Sequence, residues 1–297
     1  MSTSTSAGPP SGNTAVEMII EPRDRPVGSG TVRRLLPFRL RRTVGPFIFC
    51  DIMGPEEFSP GVAMNVDAHP HIGLSTLTYL LSGRAVHRDS TGAVQTIEAG
   101  AVNWMTAGSG VTHTERGHPD DLDGTSDMFG VQTWVALPDD AEDRSPIFEH
   151  APADAVPVDE RPGASIRVAT GSAFGLDSPV TGSSPLMLVD LSLGGGSIGI
   201  GRDHPERAVL ALDGDLTVGG DPLPPGSMAV LDRDARPEVA GRGRAIVLGG
   251  EPVGKRFIWW NFVHSDQDRI EEAKREWTDQ RFPTVPDDHD PWVPLPG

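Results

Sequence analysis

The sequence predicts an all-β protein, a sandwich or a pair of barrels, with a single helix near its C terminus. Short alternating or β-branched runs recur along the 297 residues, separated by Gly, Pro and Asp turns, and helical periodicity is almost absent before residue 265. A strand, a Gly turn and a second strand also follow one another twice, over residues 80–102 and again over 211–228. This internal repeat indicates two copies of one β-barrel.

The predicted strands and the segments between them define an expected domain organisation. The strands cover residues 76–81, 101–105, 111–115, 131–137, 186–193, 208–212, 227–231 and 245–248. Residues 139–185 are rich in Pro, Asp, Ser and Gly and have few apolar runs, which predicts a linker or a crossing between the halves. We therefore expect a flexible leader and first strand in 1–32, one barrel in 33–138, the linker in 139–185, a second barrel with the helix in 186–282, and a tail in 283–297.

The predicted helix lies at about residues 265–277. Ser265, followed three residues later by Asp268, resembles the start of a capping box. Ile270, Ala273 and Trp277 then follow at helical spacing. Because these apolar side chains would form a sticky patch if exposed together, we expect the stripe to pack against a barrel. Prolines recur after residue 282 and favour an extended tail.

Composition argues against several classes of partner. A net charge of -17 and a pI near 4.8 argue against nucleic acids and anionic membranes, so we expect no measurable DNA binding at physiological salt. Cys50 is the sole cysteine, which rules out an intramolecular disulfide and fits a reducing, cytoplasmic setting. No segment reads as a signal peptide or a membrane span, and residues 1–13 are expected to be a disordered leader.

Two short pairs, His69-x-His71 and His113-x-Glu115, place potential metal ligands at the same two-residue spacing. In a β-strand, residues i and i+2 point to the same side. Two such strands brought together would surround one ion with three imidazoles and one carboxylate. This donor set suits Fe(II), Mn(II), Ni(II) or Zn(II), and on a six-coordinate metal it leaves positions free for substrate or oxygen.

The alternative interpretation is a pair of ordinary surface histidines, since His-x-His also occurs in loops and on exposed strands. Pro70 favours an irregular or edge position, because it has no N–H for a sheet ladder. However, Leu77, Tyr79 and Leu81 continue the alternation that begins at His71. Histidines that share a face with apolar residues are expected to point into a core or cavity.

Other residues have two open interpretations each. His87 is a candidate pocket residue or a strand-end histidine bonded to a backbone carbonyl, and Gln132 is a candidate ligand contact or a barrel-interior amide satisfied by the backbone. His204 occupies roughly the place of the His pair in the second half, but without a second histidine beside it. The second barrel is therefore predicted to be metal-free. Four tryptophans either stack on a flat substrate or pack in the core: Trp104, Trp134, Trp259 and Trp260.

Taken together, the motif blocks resemble those of the pirins, which are bicupin proteins of the cupin superfamily. The blocks are residues 69–74, 79–83, 87–90, 103–110, 113–116, 132–138, 250–252, 258–263 and 269–277. The resemblance covers about residues 33–282. It implies two facing antiparallel β-barrels with a C-terminal helix, where the N-terminal cupin holds iron and the C-terminal cupin holds none.

The resemblance also implies site residues and two classes of function. It implies His69, His71, His113 and Glu115 as ligands of Fe(II). Under the hypothesis of a dioxygenase, Glu115 is also expected to act as the catalytic base. Glu115 is the implied carboxylate because Ser75 and Thr76 stand where the general cupin pattern has glutamate. Bacterial pirins resemble quercetin 2,3-dioxygenases, which open a flavonol ring with O2 and release carbon monoxide.

Alternatives to a flavonol dioxygenase remain open. Some eukaryotic pirins resemble nuclear, iron-responsive cofactors of transcription factors, so a non-enzymatic regulator with a protein partner is the alternative function. Ile72 and Leu74 replace the Arg and Phe of many pirins, which changes the expected lining near the metal. A cupin enzyme that acts on an unrelated metabolite is a third option, since fold does not determine substrate.

Overall fold

The structure, a computed structural model, describes residues 15–297 and confirms an all-β fold with one C-terminal helix. Two antiparallel β-barrels face each other, and the helix follows the second one. The leader predicted at residues 1–13 lies outside the described residues.

The first barrel is built from a seven-stranded and a four-stranded sheet. The chain begins with β1 (Val16–Ile20), β2 (Arg23–Val27), β3 (Gly30–Leu36), β4 (Phe47–Phe58), β5 (Val66–His71), β6 (Leu74–Ser82), β7 (Arg84–Asp89), β8 (Val94–Glu98), β9 (Val102–Thr106), β10 (Val111–Gly117), β11 (Ser126–Ala136) and β12 (Ile147–Ala151). The larger sheet has the order β12-β9-β6-β11-β4-β3-β2, and the smaller one has the order β5-β10-β7-β8. The smaller sheet therefore places both predicted ligand strands, β5 and β10, side by side.

The second barrel is one large antiparallel sheet that also takes in the first strand of the chain. Its strands are β13 (Val158–Arg161), β14 (Ala164–Ala173), β15 (Leu176–Asp177), β16 (Leu186–Gly199), β17 (Glu206–Ala211), β18 (Asp215–Val218), β19 (Asp221–Leu223), β20 (Met228–Leu231) and β21 (Glu238–Gly250). The main path of the sheet is β1-β20-β17-β21-β16-β14-β13. A short hairpin follows, formed by β22 (Phe257–Trp259) and β23 (Phe262–His264).

Residues 139–185 contain the expected crossing between the barrels, between β12 and β13, but most of the segment is not a linker. β12 adds an edge strand to the first barrel, whereas β13 and β14 belong to the sheet of the second barrel. In β14, the buried Ile166 and Val168 alternate with the partly exposed Ser165 and Arg167. The Pro, Asp and Ser residues of the intervening turns dominate the composition and hide this short alternation.

The described part of residues 1–32 contains the expected first strand and further strand structure that the sequence did not predict. It comprises β1, β2 and the beginning of β3. β1 crosses to the second barrel, where it pairs with β20, and β2 forms an edge of the seven-stranded sheet. Pro26 is tolerated in β2 because an edge strand does not need every backbone N–H.

The two barrels share a buried core. Tyr79 and Trp104 of the first barrel lie in one apolar cluster with Leu188 and Leu248 of the second. The Tyr79 hydroxyl donates to Asp190 Oδ2 across this boundary at 2.8 Å. Because this shared core contains no residue of the two ligand strands, the association of the barrels does not depend on the metal-site residues.

Helix α1 (Gln267–Thr278) packs as its apolar stripe predicts. Ile270, Ala273 and Trp277 are buried in a cluster that includes Ile72 of the first barrel. The N-cap is Asp266, which accepts a hydrogen bond from Asp268 N, and not Ser265. The Ser265 hydroxyl instead donates to the buried Glu142. Over residues 15–297, no helix combines the length and the apolar character that crossing a membrane requires.

Residues 283–297 return to the first barrel without forming a helix. Val293 N donates to Ala68 O at 2.8 Å, and Trp277 Nε1 donates to Val293 O at 2.9 Å. Asp288 accepts hydrogen bonds from Thr114 and Arg116 of β10. The tail is therefore hydrogen-bonded to both predicted ligand strands, β5 and β10.

Gly73, between β5 and β6, is expected to be essential for packing the β22–β23 hairpin on the first barrel. It has a φ of +66°, and a Cβ added there would lie 1.8 Å from Val263 O. Gly73→Ala should lower the free energy of unfolding by about 3 kcal/mol or more, since left-handed strain and a backbone clash add. Gly175 is the control, because it has a φ of +79° and nothing within 4 Å of its added Cβ. Gly175→Ala should cost about 1 kcal/mol, and equal losses for both variants by denaturant titration would contradict this account.

Candidate metal centre

β5 and β10 bring three predicted ligands together. The antiparallel register places His113 opposite His69, with His71 two residues along the same strand. The ring centroids are 4.2 Å apart for His69 and His113, and 5.1 Å apart for each of the other two pairs. The potential ligand nitrogens of all three lie within 4.8 Å of one another. Pro70 is accommodated because β5 is the edge strand of its sheet.

The backbone orients two of these imidazoles. His69 Nδ1 donates to Asp67 O at 2.8 Å, and His71 Nδ1 donates to Asn261 O at 3.2 Å. A carbonyl oxygen only accepts, so each ring carries its proton on Nδ1 and a lone pair on Nε2. Hydrogen bonds of this kind orient histidine ligands in metal sites.

The third imidazole, that of His113, has a ring nitrogen without a hydrogen-bond partner in the part of the chain that the structure describes. His113 Nε2 is buried without a hydrogen-bond partner among the described residues. Leaving such a polar atom unpaired costs free energy, whereas a bound cation would use its lone pair. The three histidines thus form a site that could hold a metal ion.

Burial keeps these histidines in the form that coordinates metals. Desolvation lowers the pKa of His69 to about 4, and it lowers the pKa values of His71 and His113 well below the usual range. Neutral imidazole is the form that binds a metal, so no proton has to be removed from these rings at neutral pH.

Glu115 lies next to this cluster but not within it. Among the described residues, the group whose ligand atoms all lie within 4.8 Å of one another contains only the three histidines. The register with β5 shifts at this point because two residues of β5, Asp67 and Ala68, lie between the partners of His113 and Glu115. β10 itself stays in regular register with β7, so Glu115 keeps the side of the strand that His113 has. Burial raises the pKa of Glu115 against an opposing hydrogen bond with Gln132.

The two candidate pocket residues occupy different places. Gln132 lines the cavity beside the histidines and bonds to Glu115. His87 lies behind His113, where its Nδ1 is 3.4 Å from His113 Nδ1 and its Nε2 is 2.9 Å from Asp89 Oδ2. The alternative interpretation of His87 required a bond to a backbone carbonyl. Its two ring nitrogens instead contact the side chains of Asp89 and His113.

A cavity of about 860 Å³ opens beside the histidine cluster. His69, Glu115 and Gln132 contribute polar groups to its wall. Trp134 stacks on Phe49 with ring centroids 4.1 Å apart, and its edge contacts His71 at 5.0 Å. The wall next to the cluster is therefore flat and aromatic.

Several cavity residues escaped sequence-based prediction. Arg34 binds Asp51 through two hydrogen bonds of 2.9 Å and lies 4.3 Å from the Phe49 ring centroid. Trp260 and Trp292 reach the cavity from the hairpin and the tail. These contacts join residues far apart in the chain, so no local motif predicts the places of Arg34 and Trp292, whereas Trp260 was one of the predicted stacking candidates.

The tail is held over the region of β10 that carries the site. Arg116 donates to Asp288 Oδ1 at 2.8 Å and to Asp67 Oδ1 at 2.7 Å. Trp292, Val293 and Pro294 line the cavity. The Arg116 ion pairs thus link the tail to Asp67 of β5, whose backbone carbonyl orients His69.

The second barrel offers no comparable donor set among residues 15–297. His204 is buried in it, and burial lowers the pKa of this histidine, but it is not part of a cluster of potential ligands. Any metal bound through clustered side chains in the described region would lie in the first barrel.

Comparison with known proteins gives consistent matches over both barrels. Family models described as Pirin and as Pirin C-terminal cupin domain match residues 30–135 and 189–283. A pirin-like protein of Caulobacter vibrioides is 42% identical over 292 residues, which span 95% of this chain and 99% of that protein. A crystal structure of quercetin 2,3-dioxygenase from Acinetobacter baumannii has a TM-score of 0.87 at 35% identity and covers 94% of each chain. A second such structure from the same organism has a TM-score of 0.84 at 28% identity and covers 91% of this chain and 99% of that one.

Proposed function

The chain belongs to the pirin family, and on this basis we propose that it is an iron-dependent dioxygenase of flavonol-type aromatic substrates. The observation that carries the proposal is the cluster of three buried histidines at the wall of a cavity of about 860 Å³. Pockets of roughly 300–1,000 Å³ hold small organic ligands. The similarity to the Acinetobacter baumannii quercetin 2,3-dioxygenase structures supports the same substrate class.

We infer that His69, His71 and His113 hold Fe(II), and that Glu115 completes the ligand set. Three neutral imidazoles and a carboxylate also suit Mn(II), Ni(II) and Zn(II), so metal identity is part of the proposal. When bound, the metal would act as a Lewis acid toward the substrate's enolic oxygen and support its reaction with O2.

The cavity wall fits a planar, oxygen-rich substrate. Trp134 offers an aromatic face supported from behind by Phe49. Arg34 places a cation on the same wall, and Gln132 offers an amide. A flat polyphenol can stack on the indole while its oxygens bond to these polar groups.

Glu115 is the proposed general base. It lines the cavity, and burial raises the pKa of its carboxyl, which favours proton uptake from a substrate hydroxyl. Gln132 would hold the carboxylate in position through their hydrogen bond. The aromatic rings of Trp134 and Phe49 would shield the substrate face that stacks on them from water.

The direct test is oxygen uptake by the iron-loaded chain with quercetin, recorded together with carbon monoxide release. We expect one O2 to be consumed and one CO to be released per flavonol, and no turnover after the metal has been removed by chelation. A fully loaded protein that neither takes up O2 nor releases CO would contradict the flavonol assignment. That result would favour the alternative of a non-enzymatic, metal-dependent regulatory protein.

A further inference from the structure

We propose that Asp89 and His87 set the tautomer of His113, so that His113 Nε2 presents a lone pair to the metal site. The inference rests on the metal site of the proposed function but not on any substrate. Asp89 and His87 would act as positioning residues, because neither belongs to the histidine cluster.

The three side chains form a continuous line of contacts on neighbouring strands. β7 pairs with β10 so that Asp89 lies opposite His113 and His87 lies opposite Glu115. His87 Nε2 is 2.9 Å from Asp89 Oδ2, and His87 Nδ1 is 3.4 Å from His113 Nδ1. Asp89, His87 and His113 are 0%, 3% and 1% exposed, so water does not compete for these contacts. The Phe148 ring stacks on His87 with centroids 4.4 Å apart and holds its plane.

The turn after β7 fixes the direction of the Asp89 carboxylate. Asp89 Oδ1 accepts from Thr91 N at 2.8 Å, from Thr91 Oγ1 at 2.6 Å and from Ala93 N at 3.4 Å. These donors leave Oδ2 for His87. An ionised carboxylate only accepts, so His87 carries a proton on Nε2.

This proton determines the state of the next ring. A neutral His87 with Nε2–H has a lone pair on Nδ1, which can accept from His113 Nδ1–H. His113 then has a lone pair on Nε2, the atom that is buried without a partner. His69 and His71 reach the same state through backbone carbonyls, which can only accept. His113 differs from them because its acceptor is itself a histidine and depends on Asp89.

Asp89→Asn is a nearly isosteric change that should reverse the direction of both hydrogen bonds, the one between residue 89 and His87 and the one between His87 and His113. The three donors around Oδ1 would keep the amide oxygen there, so the amide NH2 would face His87 Nε2. His87 would then accept at Nε2, carry its proton on Nδ1 and donate to His113 Nδ1. The proton of His113 would move to Nε2, which blocks that atom as a ligand.

Two measurements on the full chain test this proposal. Long-range proton–nitrogen NMR of the metal-free protein should show His113 protonated on Nδ1 in the wild type and on Nε2 in Asp89→Asn. Co(II) affinity from competition with a chelator should fall about 10- to 100-fold in Asp89→Asn, the range typical for partners of ligating histidines. Asp190→Asn is the matched control. It removes a buried carboxylate of the second barrel that is bonded to Arg244 and, across the boundary between the barrels, to Tyr79. Asp190 is not part of the histidine cluster, so Co(II) affinity should stay at the wild-type value.

A second pair of variants covers the case in which Asp89→Asn does not fold. His87→Gln can still donate to Asp89 and accept from His113, so it should bind Co(II) more tightly than His87→Leu. Wild-type affinity and an unchanged tautomer in Asp89→Asn would overturn the proposal, as would a loss of affinity without a change of tautomer. If the wild type itself binds no Co(II), the proposed metal site fails, but the NMR measurement still decides the role of Asp89.

Discussion

His113→Ala is expected to abolish most metal binding while leaving the two-barrel fold intact. The substitution removes one of three clustered imidazole nitrogens, and the affinity should fall by more than the roughly 10- to 100-fold typical for a lost partner of a ligand. The core shared by the barrels is formed by other residues, so circular dichroism and the melting profile of the metal-free protein should change little. Elemental analysis of the purified protein gives the metal content directly.

His204→Ala provides the matched control for this experiment. His204 is also a buried histidine, but it lies in the second barrel and outside any cluster of potential ligands in the described residues. Its replacement should leave one metal per chain, as in the wild type. A metal content near the wild-type value in His113→Ala, or two metals per chain by calorimetry, would contradict the proposed site.

Glu115→Gln should weaken metal binding and abolish dioxygenase activity together. The amide keeps the size of the side chain and one acceptor, but it loses the negative charge and cannot accept a substrate proton. Loss of a general base typically costs 10²- to 10⁴-fold in rate, which would bring oxygen uptake with quercetin close to background. Unimpaired oxygen uptake would show that the carboxylate has neither proposed role.

Glu142→Gln is the control for Glu115→Gln, because it removes a buried carboxylate that is not part of the proposed metal site. Glu142 pairs with Arg256 at 2.8 Å and bonds to Ser265, away from the residues that line the cavity. Its replacement should lower the melting temperature, because Arg256 loses a buried partner, but metal content should not change. If both glutamate variants lose metal equally, the effect of Glu115 is one of stability alone.

The sequence alone predicted the features that arise from local geometry. Residues two apart in a strand share a side, so His69 and His71 could be placed together before their surroundings were known. The apolar stripe of Ile270, Ala273 and Trp277 likewise predicted a packed helix, since helical periodicity is a local property. The repeated pattern of strands and Gly turns is also read from local sequence, and it indicated two β-barrels.

Predictions from composition were less accurate, because the average composition of a segment does not reveal the short strands within it. Pro, Asp and Ser residues suggested a linker or a crossing in residues 139–185, but this segment contains strands of both barrels, and the crossing occupies only the turn between β12 and β13. Asp266 replaced Ser265 as the helix cap, because the Ser265 hydroxyl is bonded to Glu142, which lies 123 positions earlier. Such competition for one polar group is settled by tertiary contacts.

Only the tertiary structure decided how the ligands are oriented and what surrounds them. Glu115 shares a side of β10 with His113, as strand spacing predicts, but the group of ligand atoms within 4.8 Å of one another contains only the three histidines among the described residues. The carbonyl of Asn261 orients His71 from 190 positions away, and Trp292 of the tail helps to line the cavity. Spacing along a strand determines which side chains share a face. The proton positions and the cavity shape depend instead on partners that folding brings from distant parts of the chain.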